Sequence, residues 1–380
     1  MDFFAQRLKK LPPYFFAELD CLKQSANQLG QLIDFSEGSP DYPPPRPIIQ
    51  AMVKALQNPA YHRYPTYQGM LSARIAVANW YQRRFGVELD PEKEICMLLG
   101  AKEGIAHLIW AVAEKGDRIA LPNPAFPMYY NQALLSGAEP VIMPLIEDND
   151  FLPDLSIVRR KRVKLVCLNY PNNPTAAVAP LSFYQDLVNL AQKQGFCVYN
   201  DNVYSEIYFT APPASILQVA GAKECCIEFH SLSKTFNMAG WRIGFAVGNA
   251  NLISALLKIK QNVDSGPFSA IQATALYALN QTERLTEAIR ARYKKRRDLL
   301  TDGLKRLGWA MPKPAATFFV WVKIKGNDSM AFAKKLLRQS QIMIAPGIGF
   351  GKYGEGYIRF ALVVSENKIK QAIKRLGLWR

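Results

Sequence analysis

The stretch Phe229 to Gly248, FHSLSKTFNMAGWRIGFAVG, sets one amine among small hydroxyls, with Ser231, Ser233 and Thr235 around Lys234. Eight residues further on stands Arg242, followed by an apolar, Gly-spaced run that reads as a buried strand. This grouping suits a carbonyl cofactor with a phosphate tail. The amine can form a Schiff base, while the hydroxyls and the guanidinium hold a dianion, the guanidinium bidentately. Most lysines are solvated surface charges. Here Met238, Trp241, Ile243, Phe245 and Val247 predict a buried neighbourhood. A buried amine loses its proton more easily, because desolvation disfavours the charged form.

Such an amine needs a frame. After Asp117 the chain alternates strand-like runs (RIALPNP, EPVIMPL, VKLVCLNYP, GFCVYNDN, CIEFHSL, RIGFAVG) with helical patterns such as SFYQDLVNLAQKQ. That alternation predicts an α/β domain with a mostly parallel sheet, whose ligands gather at the carboxyl ends of the strands. Upstream, LSARIAVANWYQRRFG has a helical period with Gly86 as its stop, and ICMLLG is a short strand. It leads through Gly100, Ala101 and Lys102 into the helix IAHLIWAVAE. A Gly-flanked strand-to-helix turn aims free N–H groups and a positive helix end at an anion. Residues 1–47 form a Pro-punctuated arm, helical from about Phe15 to Leu29, with turn chemistry in GSPDYPPP. Residues 48–280 are assigned to the large α/β domain and 281–380 to a smaller α+β domain joined by the arm. Helix is expected from Ser269 to about Leu307, then strands ATFFVWVKI, IMIAPG and YIRFALVV and a closing helix. Gly349 to Gly354 fits G-x-G-x-x-G, but a strand and not a helix follows, so a dinucleotide fold is rejected.

The segment SLSKTFNMAGWRIGF resembles the cofactor-lysine segment of the class I/II, fold type I aminotransferases, which depend on pyridoxal phosphate. The likeness extends over nearly the whole chain, and the opening and closing segments are most similar to the LL-diaminopimelate and aspartate/alanine-type subgroup. The resemblance implies a role for each matching residue. Lys234 carries the cofactor and moves the α-proton. Asp201, in Asp201-Asn202-Val203-Tyr204, pairs with the ring nitrogen and keeps it charged. Tyr204 and Asn173 of NNPT hydrogen-bond the phenolic oxygen, with Asn173–Pro174 expected cis. Phe126 stacks on the ring. Arg242, Ser231, Ser233 and the amides of Ala101 and Lys102 hold the phosphate, with Tyr64 reaching across a homodimer interface. Ala101 stands where most relatives have a hydroxyl residue, which leaves the amides and removes one side-chain donor. Arg359 in YIRFAL binds the substrate carboxylate, helped by the amide of Gly38, while Tyr14 closes the substrate pocket. The alternative for Arg359 is a strand arginine in a salt bridge.

Composition is that of an ordinary globular chain: 380 residues, 49% hydrophobic and 21% charged. The formal charge of +16 invites a nucleic-acid partner, but no aromatic-interleaved basic stripe and no helix-turn-helix signature is present. The cationic residues instead suit solvated helix faces. Scattered cysteines, no C-x-x-C and three distant histidines argue for a reducing, cytoplasmic setting and against a metal site. No signal peptide or transmembrane run is expected. The expected activity is transfer of an amino group from an L-amino acid, with LL-diaminopimelate, aspartate or alanine as donors, to a 2-oxo acid such as 2-oxoglutarate. A C–S β-lyase on the same scaffold is the nearest rival. A DNA-binding regulator with an aminotransferase-like domain would need a further N-terminal module for which the length leaves no room.

Overall fold

In the computed structural model, which describes residues 3–26 and 32–378, strands and helices alternate through the first three quarters of the chain. The strands are β1 (Ile33–Asp34), β2 (Ile95–Leu98), β3 (Arg118–Asn123), β4 (Glu139–Pro144), β5 (Leu165–Leu168) and β6 (Cys197–Asp201). They continue as β7 (Cys226–Ser231), β8 (Gly244–Gly248), β9 (Phe319–Lys323), β10 (Ile342–Met343), β11 (Ala345–Pro346) and β12 (Tyr357–Ala361). Seven of them form one sheet in the order β2-β8-β7-β6-β5-β3-β4. Only β8 runs against its neighbours.

The large-sheet strands read as nearly continuous apolar runs because both faces are covered. Alternate side chains still go to opposite layers: Ile95 and Met97 of β2 enter one core, Cys96 and Leu98 the other. Helices terminate where the sequence provides a stop. Leu71–Phe85 ends on Gly86, whose φ of 69° a side chain would resist.

The smaller core surrounds the antiparallel sheet β11-β12-β9, and β1 pairs in parallel with β10. Ile33 and Phe35 of the arm belong to this core, as do Tyr204 and Ile207 from the loop after β6. Leu285, numbered beyond the expected boundary, packs in the larger one. The expected helix over 269–307 is two, Ser269–Leu279 and Thr282–Arg306, and the arm's helix is Phe15–Ala26. Residues 27–29 of the expected arm helix lie outside the described residues. The Gly349 to Gly354 stretch forms 3-10 turns and then β12, with no helix directly after it.

Of the chain's 47 Lys and Arg, 22 fall in residues 281–380, against 7 of its 31 Asp and Glu. Nearly all the +16 therefore lies in the smaller part. Its exposed cations, such as Lys294, Lys305, Lys335 and Lys370, sit on outer helix faces. Among the described residues no helix is long and apolar enough to cross a membrane.

One buried acid ties the large sheet together. Glu228 on β7 is fully buried and accepts from Ser215 Oγ at 2.5 Å, Asn200 Nδ2 at 2.9 Å, Ile216 N at 3.1 Å and Asn202 Nδ2 at 3.2 Å. Tyr81 also donates to it. Burial raises its pKa, but His230, Ser215 and Tyr81 outweigh that and hold it below the usual carboxylate value. Glu228→Gln should therefore destabilise the fold by about 1.5–3 kcal/mol, because an amide donor would face donors. Urea denaturation at pH 7 measures the loss.

Candidate active site

The residues singled out in the sequence come from strand ends that the parallel sheet brings to one edge. Asp201 closes β6 and Ser231 closes β7. Gly100 caps the helix Ala101–Val112 just after β2, Asn173 follows β5, and Phe126 follows β3. All of these line a cleft of about 390 Å³ except Gly100, which backs it. Lys234, Tyr204, Ser233, Arg242 and Arg359 line it too.

Lys234 sits on the single turn Leu232–Thr235, whose cap Ser231 accepts from Ser233 N. Its Nζ donates to the Gly38 carbonyl at 2.6 Å. Burial, then the charges of Arg359 and Arg242, push its pKa down to about 8 against the pull of Asp201. Gly38 lines the cleft with its carbonyl bonded to Lys234, a contact separate from the amide that was expected to meet a ligand.

Asp201 accepts from Tyr129 Oη at 2.5 Å through Oδ2, while its buried Oδ1 has no hydrogen-bond partner. Burial pushes its pKa up to about 6, although Tyr129, the Val203 amide and Lys234 oppose this. An acid held this way lacks a cation.

Arg359 on β12 is sealed in, 1% exposed. It donates to Asn173 Oδ1 at 2.7 Å and Ser36 O at 2.6 Å, with its guanidinium carbon 4.2 Å from the Phe319 ring centre. Its Nε has no partner, and no ion pair joins it to a carboxylate among the described residues. The salt-bridge alternative therefore finds no support. Asn173 precedes a cis peptide bond to Pro174, and with Oδ1 engaged its Nδ2 hydrogens remain for the cleft. Tyr204 is buried, edge-on to Phe318 and Phe319.

At the cleft's other end Arg242 adopts φ 53° and donates to Leu99 O at 3.1 Å and Ala239 O at 2.8 Å. Its guanidinium lies against Gly100: a Cβ there would meet Nη2 at 2.5 Å, and the φ of +96° also favours glycine. Ser233 Oγ is buried without a partner. Lys102 Nζ sits 5.9 Å from the Phe126 ring centre and 5.6 Å from that of Tyr14.

Two expected residues fall outside the cleft. Tyr14 is not among its lining residues; it lines a neighbouring cavity of about 590 Å³ that shares Phe126 and Tyr129 with it. Tyr64 is 91% exposed and does not reach its own chain's cleft. Sequence reasoning missed Tyr129, three residues after Phe126, and Asn169, whose Nδ2 donates to Asp201 O at 2.7 Å and whose Oδ1 accepts from Asn173 N at 2.9 Å. Their closeness to Phe126 and to NNPT was the available signal.

Glu103, His107 and Asp264 bring ligand atoms together behind the cleft. Lys260, fully buried, already fills the cation's place there, 2.7 Å from Asp264 and 3.2 Å from Glu103.

Comparison with known proteins follows the same lines. Residues 30–376 match the family model for aminotransferase class I and II. An LL-diaminopimelate aminotransferase of Aquifex aeolicus is 47% identical, over 98% of both chains. One of Halothermothrix orenii is 46% identical, over 98% of this chain and 97% of its own. Among solved structures, substrate-bound BacF of Bacillus subtilis superposes with a TM-score of 0.94 at 34% identity, covering 100% of this chain and 98% of its own.

Asp201, with no ion-pair partner among the described residues, gives a stability prediction with a definite sign. Its folded pKa, about 6, lies above the ordinary 3.8, so folding is penalised increasingly as pH rises from about 4 to 6 and fully above that. In ligand-free protein Asp201→Asn should raise stability at pH 8 by on the order of 3 kcal/mol and leave it unchanged near pH 4. Denaturation curves at the two pH values decide it.

Proposed function

The chain belongs to the class I and II aminotransferases, pyridoxal-phosphate enzymes of fold type I, and on that premise we propose that it moves the amino group of LL-diaminopimelate to 2-oxoglutarate using Lys234. The observation that carries the reading is a buried cleft that brings together the Lys234 amine, an Asp201 oxygen without a hydrogen-bond partner and an Arg359 guanidinium with no carboxylate beside it among the described residues. The donor is suggested by the relatives that share 47% and 46% identity.

The cleft's empty valences fit the cofactor. Asp201 Oδ1 is one buried acceptor awaiting a charged ring nitrogen, and such a cation would return its pKa toward the ordinary range. Ser233 Oγ awaits an acceptor, as a phosphate would be, and Ser231, Arg242 and the first amides of the helix after Gly100 supply the remaining donors. Phe126 offers a flat face, and Tyr204 with Asn173 Nδ2 offers donors to the ring oxygen. When bound, pyridoxal phosphate supplies an aldehyde that captures an amino group and an electron-poor ring that makes the α-proton acidic.

The chain's own residues do the rest. Lys234 Nζ, whose pKa burial and the charges of Arg359 and Arg242 lower, would accept the substrate's α-proton and give it back. The Gly38 carbonyl holds that amine in place by accepting from it. Arg359, already oriented by Asn173 and Ser36 and backed by Phe319, binds the substrate carboxylate with its remaining hydrogens. The same residues serve the second substrate in the reverse direction.

A homodimer belongs to the same reading. The helix Arg46–Leu56 exposes Ile49, Val53 and Leu56, and Leu71 and Ile75 stand exposed nearby, an apolar surface that a second copy would cover. Tyr64 then reaches the partner's phosphate. A cytoplasmic location is consistent with six free cysteines.

Purified protein should be yellow, and borohydride should bleach it and leave the cofactor on Lys234. Lys234→Ala should have no turnover. In a donor panel with 2-oxoglutarate, LL-diaminopimelate should outpace aspartate and alanine; pyruvate released from cystathionine would mark a lyase instead. Mixing Lys234→Ala chains with inactive Tyr64→Ala chains should restore activity, because each hybrid dimer holds one complete site.

A further inference from the structure

Between β1 and the helix Arg46–Leu56 the chain crosses from the smaller core to the larger one, and residues 36–45 lie outside every strand and helix. Side chains hold this strap instead. Arg359 binds Ser36 O, Lys234 binds Gly38 O, and Asn237 Nδ2 donates to Pro43 O at 3.4 Å. A further tie is bidentate. Arg296, fully buried in the helix Thr282–Arg306, grips Asp41 with two parallel bonds of 2.8 and 2.9 Å. Its other hydrogens go to Leu362 O at 2.9 Å and Glu366 Oε1 at 3.2 Å. The next residue of the strap, Tyr42, lies under Arg292, 3.6 Å from guanidinium carbon to ring centre.

We propose that the Asp41–Arg296 pair is a latch, and that both are positioning residues for the reaction at Lys234. Arg296 is buried and Asp41 is not; such a pair adds little net stability, but a bidentate one fixes geometry. What it fixes here is the strap three residues after Gly38, whose carbonyl accepts from the Lys234 amine. The smaller core thereby sets where the proton-moving amine rests, although neither Asp41 nor Arg296 lines the cleft. The inference rests on the proposed role of Lys234.

The test uses Asp41→Asn, which keeps the shape and leaves Arg296 paired with Glu366, so that no buried charge is orphaned. Arg296→Lys keeps the charge and loses the fork. In cofactor-free Asp41→Asn, hydrogen exchange at the bonded amides flanking the strap, those of Ser36 and Ile48, should accelerate at least tenfold. In loaded enzyme, single-turnover rate should fall by about ten- to a hundredfold, the range expected for an ångström-scale misplacement. The α-deuterium isotope effect should rise, KM should rise for donor and acceptor alike, and cofactor affinity should stay within about twofold, since its proposed holders lie on the large sheet. Arg296→Lys should fall between. A lowered melting temperature with unchanged turnover and isotope effect would make the pair merely structural and overturn the proposal, as would unchanged exchange. If the wild-type protein transfers no amino group, the reading of Lys234 fails instead, a result that the exchange experiment does not produce.

Discussion

The structure depends on a constraint that burial imposes on charge. A sealed ionisable group must find a partner, change its protonation or wait for a ligand. Two buried carboxylates on neighbouring strands show the choice. Glu228 and Asp201 are 0% and 7% exposed, and burial raises the pKa of both. Glu228 receives donors on both oxygens and ends below the usual value. Asp201 receives Tyr129 on one oxygen, keeps the other bare and ends near 6. The first acid belongs to the fold. The second is held open at a cost to stability that a bound cation would offset, the pattern expected of a functional site.

The same argument extends to Lys234 and Arg359. Arg359 has neutral acceptors and an aromatic face but no anion, so its positive charge is left for a carboxylate to answer. That charge also helps to lower the pKa of Lys234, which Asp201 opposes. The amine is thus poised by two residues that are themselves incomplete. In the proposed reaction, filling the cleft changes all three at once, and the low dielectric that penalises the empty state strengthens each contact in the filled one.

Much of this was legible in the sequence for a physical reason. Strands buried on both faces leave apolar runs, and a parallel sheet must present its carboxyl ends together, so polar residues at those ends converge whatever lies between them. Lys234, Asp201, Asn173 and Ser231 could be placed on that rule. Asn169, directly after β5, falls under the same rule; Tyr129 does not, because it stands on the helix Met128–Ser136 and meets Asp201 only through the packing of that helix on the sheet. Asp41 and Arg296 are 255 residues apart and meet only through the smaller core.

The position of Arg359 explains why two cores are needed at all. It stands on β12 of the smaller sheet, yet its hydrogen bonds reach Asn173 after β5 of the large sheet and Ser36 at the head of the strap. In the proposed reaction a carboxylate bound there would be held from the smaller side, while Lys234 and Asp201 would act from the larger. Displacing one core against the other would separate the group that binds from the groups that react. The seam is spanned by side-chain hydrogen bonds and ion pairs, whose strength depends on geometry more steeply than apolar contact does. A joint of that kind tolerates small movement poorly, and so keeps the two halves of the site in register when a substrate enters.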